Sequence, residues 1–135
     1  MLRRYFFLIA VLFIFSCKKE KVEDQTPTET ADTTIPVITL NSPTASSVYH
    51  NGDTLFITGT VTDNDLHDAT LEIKDDTTAQ VYFSASPYVH GLNTATINYS
   101  WIVNVTHNAS ATLTVNYSDH APNVGLKLVN VILLL

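Results

Sequence analysis

From residue 35 to the end of the chain, apolar residues recur at every second position in short runs divided by polar turns. "TLFITGTV" sets Leu55, Ile57, Gly59 and Val61 on one face, and "TLEIK" does the same with Leu71 and Ile73. "AQVYFSA" alternates through Val81 and Phe83. "TATINYSWIVNV" puts Ala95, Ile97, Tyr99, Trp101 and Val103 on one side, with Thr96, Asn98 and Ser100 on the other. "ATLTVNYS" follows with Leu113, Val115 and Tyr117, "VGLKLVNVILLL" closes the chain, and "PVITL" opens the series. A period of two is the mark of a half-buried strand, and Val, Ile, Thr and Tyr suit the pleated surface. The turns between the runs are "NSP", "HNGD", "DNDLHD", "KDDTT", "HGLN", "THNAS" and "SDHAPN". No long 3.6-residue period interrupts them. Seven such runs in about 100 residues predict an all-β fold, a seven-stranded antiparallel two-sheet sandwich, with Trp101 buried on the fifth strand.

The beginning of the chain has a different texture. Arg3 and Arg4 precede the unbroken apolar run "YFFLIAVLFIF", which is too short to span a bilayer, where about 20 residues are needed. It has the length of a signal-peptide core, about 7–15 residues. Ser16 and Cys17 come next, and Cys17 is the only cysteine. "IFSC" resembles a bacterial lipobox, which implies a signal peptide over residues 1–16 and acyl chains on Cys17. Several acyl chains anchor stably where one is marginal. That reading leaves no thiol for a disulfide or a nucleophile. After Cys17, residues 18–34 hold one aliphatic residue, Val22, and the rest are charged, Thr, Pro, Ala or Gln. Such a stretch cannot bury enough apolar surface to fold, so a lipid-anchored disordered tether is expected over residues 17–34, followed by one domain over residues 35–135.

Charge narrows the partners. Without the leader, 5 Lys/Arg face 13 Asp/Glu, a formal charge of −8. An acidic domain is a poor match for nucleic acid, whose phosphates require a basic face. It suits a cation or a basic partner.

"IPVITLNSP", "GDTLFITGTVTDNDL" and "VNYSDHAPNVG" resemble bacterial immunoglobulin-like domains. Gly59, Val61, Asp63 and Leu66 match the "G-x-V-x-D-x-x-L" pattern of those domains. Asp119 and Asn123 match a later Asp…Asn motif, stretched here by "HAP". The resemblance is to small Bacteroidetes lipoproteins. It implies an immunoglobulin-like sandwich in the cell envelope, most often at the outer membrane. In those domains the Asp at the position of Asp63 often braces its loop.

With strands alternating in direction, the loops holding Asp63, Asp65, His67, Asp68, His90, Asp119 and His120 share one end of the sandwich, and His50 and His107 share the other. The first strand starts at the former end, so the tether is expected on that side. Imidazoles with a carboxylate suit Zn²⁺, which takes three or four nitrogen, sulfur or oxygen ligands. Asp63, Asp65 and Asp119 with loop carbonyls suit Ca²⁺, which wants six to eight oxygens. Turn chemistry alone also selects Asp and Asn. Tyr88, beside a loop, is a candidate ligand contact, while Tyr99, Trp101 and Tyr117 read as core. "SDH", Ser118 to His120, holds the residue types of a catalytic triad, but triad members meet in space and strand neighbours point to opposite faces. No nucleophile motif or phosphate loop is present, so no enzyme is expected. Three functions fit: a non-enzymatic envelope lipoprotein presenting an interaction or adhesion module, a metal-binding lipoprotein using the His/Asp end, and a carbohydrate-binding accessory lipoprotein. Protein or glycan partners fit the first and third.

Overall fold

A computed structural model describes residues 31–135. The expected leader, Cys17 and the expected tether up to residue 30 lie outside the described residues. Seven strands follow in order: β1 (Val37–Ser42), β2 (Ser47–His50), β3 (Thr54–Asp75), β4 (Val81–Ala85), β5 (Leu92–Ile102), β6 (Ala109–Asp119) and β7 (Val124–Leu134).

The number of strands agrees with the pattern, but two of the divisions do not. The expected second and third strands are one strand of 22 residues, β3. Its first half pairs with β1 and β5, with Thr39 facing Thr60 and Tyr99 facing Ile57. Its second half pairs with β4 and β6, with Phe83 and Leu113 facing Ile73. "DNDLHD" is therefore a bend inside a strand that crosses from one layer to the other, and the register shifts there, between Thr62 and Leu66 and between Leu66 and Asp68. The unexpected strand is β2. It runs parallel to β7, Val48 beside Ile132, so the sandwich is not wholly antiparallel. Four residues leave too short an alternation to read, and their partner is at the far end of the chain.

The layers are β1–β3–β5 and β4–β3–β6–β7–β2, with the first half of β3 in one and the second half in the other. This connectivity is immunoglobulin-like. The inward residues of both layers form one core, with Leu55, Ile57, Val61, Leu71, Ile73, Leu113, Val115 and Leu133 fully buried. Each such side chain contributes about 1.5–3 kcal/mol relative to exposure. Tyr117 is buried among them, and burial, then the nearby Tyr99, pushes its hydroxyl pKa up to about 12. Trp101 differs from expectation. It is half-buried at the margin between β4 and β5, where its ring stacks on Tyr82 with centroids 5.9 Å apart. Phe83 and Tyr99 meet edge-on beside it, centroids 6.0 Å apart, so four aromatics close the gap between the layers.

Gly59 explains part of the motif in which it stands. It faces Leu40 across the β1–β3 ladder, and a Cβ there would lie 2.2 Å from the Thr39 carbonyl oxygen. Only glycine lets β1 come this close. Val61 and Leu66, the apolar members of the motif, are fully buried.

At the end opposite the bend, β3 finishes on Asp75, whose carboxylate is buried. It accepts the Thr77 and Thr78 amides at 2.7 and 2.9 Å, the Tyr82 hydroxyl at 2.8 Å, and lies 2.9 Å from His107 Nε2. The Thr78 amide, followed by the Tyr82 hydroxyl and the Thr77 amide, holds Asp75 well below the usual carboxylate range against its burial. Burial, then the bond to Asp75, pushes Tyr82 up to about 12.

Two outcomes test this account. Gly59→Ala should lower unfolding free energy by about 1–3 kcal/mol, the usual cost of forcing atoms into a packed site. Unchanged denaturant midpoints would show that β1 yields freely. For Asp75, the folded pKa lies below the unfolded value of about 3.9. Its stabilisation is thus complete above about pH 4 and is lost as pH falls toward the folded pKa. The melting temperature should drop on acidification below about pH 4, and Asp75→Asn should flatten that drop while lowering stability at neutral pH.

Candidate functional site

The bend of β3 gathers the loops. Asp63 Oδ1 accepts the Asp65 amide at 3.0 Å, bracing the chain where the register shifts. Leu66 is fully buried and pins the bend to the core. Its carbonyl accepts the Gly91 amide at 2.7 Å. The neighbouring Asp65 carbonyl accepts the His120 amide at 3.2 Å, and the Asn64 carbonyl accepts Asn93 Nδ2 at 2.8 Å. Three consecutive carbonyls thus hold both the β4–β5 and β6–β7 connections. His67 follows inward Leu66, His90 precedes the tied Gly91, and His120 is itself tied, so the three rings must meet. Gly91 has φ +75, a left-handed conformation that glycine takes without strain.

His67, His90 and His120 each offer a ring nitrogen, and these lie within 4.8 Å of one another. His67 Nδ1 and His90 Nδ1 are 3.1 Å apart. The His67–His120 and His90–His120 centroids are separated by 4.4 and 4.6 Å. Nitrogens bound to one tetrahedral Zn²⁺ at about 2.0–2.1 Å are about 3.3 Å apart, so the set needs little side-chain rotation to hold an ion. Two carboxylates touch the cluster from outside. Asp65 Oδ2 is 3.0 Å from His120 Nδ1, and Asp68 Oδ2 is 3.5 Å from His67 Nε2. A carboxylate accepting one ring N–H leaves the other nitrogen as a lone-pair donor. Asp65 and Asp68 thereby favour His120 Nε2 and His67 Nδ1 as the coordinating atoms. The site is at the surface, with the His67 and His120 side chains 43% and 40% exposed.

The other expected residues are placed differently. Asp63 and Asp119 do not join the group, which among the described residues consists of the three histidines. Asp63 braces the bend through one oxygen, and its Oδ2 is buried without a hydrogen-bond partner among the described residues. Asp119 is buried, which raises its pKa, but bonds from the Asn123 side chain and amide, at 2.7 and 2.8 Å, outweigh burial and lower it. Its carboxylate is engaged by Asn123. Asp65 stands beside the group as an orienting carboxylate. Tyr88 is 82% exposed, its ring 6.2 Å from that of His90. It lines a shallow groove of about 410 Å³ with Ser86, Pro87, Asp68 and the rings of His67 and His90. His50 and His107 lie at the other end, His107 in the Asp75 network. The roles of Gly91 and Asn93 as loop ties escaped the sequence reading. The "HGLN" turn signal was their only trace.

No protein-family model and no curated protein matches the chain. Seven solved chains do. An engineered protein aligns with 74% of this chain and 20% of its own length, at 17% identity and a TM-score of 0.51. The fibronectin(III)-like modules of Clostridium thermocellum CbhA align with 75% of this chain and 46% of theirs, at 18% identity and a TM-score of 0.46. The chain spans less than half the length of either. The first likeness shows the fold and nothing finer, and the immunoglobulin-like description rests on the strand connectivity.

Proposed function

We propose that this chain is a non-enzymatic envelope lipoprotein, anchored through Cys17, whose immunoglobulin-like domain binds a divalent transition metal of the zinc class through His67, His90 and His120. The approach of three imidazole nitrogens to within 4.8 Å, from three separate parts of the chain, carries the reading. None of the three rings belongs to the buried core. Imidazole suits zinc, nickel and copper, whereas calcium needs six to eight oxygens. The carboxylates that would supply those oxygens are dispersed: Asp119 is bonded to Asn123 and Asp65 to His120. The shallow groove and the engagement of Asp119 away from His120 support binding over catalysis. The anchor reading rests on the oily run, Ser16 and Cys17. Asn123, on the connection that carries His120, donates from Nδ2 to the Asp32 carbonyl at 3.1 Å, which supports a tether that ends on the histidine side.

Metal binding to the folded state alone stabilises it by linkage, about 2.7 kcal/mol at a hundred times Kd. For a domain of this size, Zn²⁺ or Ni²⁺ in that excess should raise the melting temperature on the order of 10 °C at pH 7.5. Ca²⁺ should leave it unchanged, and His120→Ala should abolish the zinc shift without lowering the metal-free midpoint. A calcium shift, or a zinc shift that survives His120→Ala, overturns the assignment. Separately, Cys17→Ser should accumulate uncleaved precursor that takes up no labelled palmitate in bacterial cells. Palmitate on the variant overturns the anchor.

A further inference from the structure

Among the described residues the histidine cluster brings three protein ligands. Among the described residues no fourth His, Cys, Asp or Glu joins the group. A four-coordinate ion with three protein ligands keeps one position for water or an incoming donor. Two of the three rings, His67 and His90, also wall the surface groove that contains Tyr88. A donor reaching the ion therefore has the groove beside it.

The charges around the site select the kind of donor. A divalent ion would be balanced by Asp65 at His120 and Asp68 at His67. Among the described residues no Lys or Arg lines the groove. An anionic donor would give this already neutral centre a net negative charge. A neutral nitrogen donor brings none, and imidazole is a preferred zinc ligand. Tyr88 supplies the second observation. It is a large aromatic side chain left 82% exposed at the groove, its ring 6.2 Å from that of His90. Aromatic pairs contribute about 0.5–1.5 kcal/mol beyond area burial.

We infer that the fourth position of the metal site is filled by a histidine imidazole of a different polypeptide, not a second copy of this chain, lying in the groove with Tyr88 covering that ring. This rests on the metal reading above. It makes the ion a bridge: the domain holds it by three nitrogens, and the partner docks through a fourth.

The test uses the full chain in detergent, loaded with Co²⁺, whose visible bands report its ligands. Elemental analysis first counts cobalt per chain, and no bound cobalt means that the underlying metal reading fails. With cobalt bound and retained, adding imidazole or a Gly-His-Gly peptide should shift the bands saturably, while acetate at equal concentration should not. Tyr88→Ala should weaken the peptide about two- to tenfold with cobalt stoichiometry unchanged. A loaded protein whose spectrum ignores imidazole and peptide overturns the inference and leaves the metal site standing. So does a spectrum that answers acetate as readily as imidazole, since the site then takes anions. Light scattering that shows metal-dependent dimers also overturns it, because a second copy would then supply the missing ligand.

Discussion

The bend of β3 at residues 63–68 is the constraint on which the rest of this domain depends. One strand of 22 residues serves both layers, so the residues at the bend belong to neither ladder alone. Buried Leu66 fixes the bend to the core, and Asp63 turns the backbone around it. The carbonyls of Asn64, Asp65 and Leu66 are then left to face the loop end, where they hold the two connections that carry His90 and His120. Core packing and the position of the histidines are thus consequences of the same few residues. A buried leucine at this point sets both the path of the strand and the place where His67 emerges.

The two ends of the sandwich show opposite uses of similar residues. At one end Asp75 is buried and saturated by two amides, a tyrosine hydroxyl and His107. Nearby Asp76 accepts the Ser110 and Thr112 hydroxyls at 2.7 Å each and Asn130 Nδ2 at 3.0 Å. A carboxylate so surrounded has little capacity left for a ligand, and its role is to lock β3, β4, β6 and β7 together. At the other end three imidazoles crowd, with His67 Nδ1 3.1 Å from His90 Nδ1, and the two carboxylates beside them each meet one ring nitrogen of His67 or His120. Histidine and aspartate alone therefore do not distinguish a saturated end from an unsaturated one. The balance of donors and acceptors does.

Much of the fold was legible because burial imposes a period of two. Ile57, Val61, Ile73, Leu113 and Val115 alternate in the sequence and are fully buried in the structure. The merging of two expected strands into β3 was hidden, since Asp63, Asn64 and Asp68 are turn formers that here sit in a strand with shifted register. Strand β2 was hidden because its four residues gain their meaning only from β7, some 80 residues later. Trp101 followed the inward alternation of β5 but met the open margin between the layers, where the sheet edge and not the strand pattern decides exposure.

The sequence by itself determined an all-β domain, the identity of most core residues and the sorting of the histidines between the two ends, because alternation and strand direction are properties of local chain geometry. Only the tertiary structure decided which residues at the loop end touch. His67, His90 and His120 lie on three different segments, and their meeting depends on hydrogen bonds from Gly91 and His120 to carbonyls at the bend. It also decided that Asp63 and Asp119 brace loops while Asp65 and Asp68 face imidazoles. All four are the same residue in turn-like surroundings. Their roles differ because a carboxylate reaches only the donor that the packed backbone sets a few ångströms away, and no local pattern records that distance.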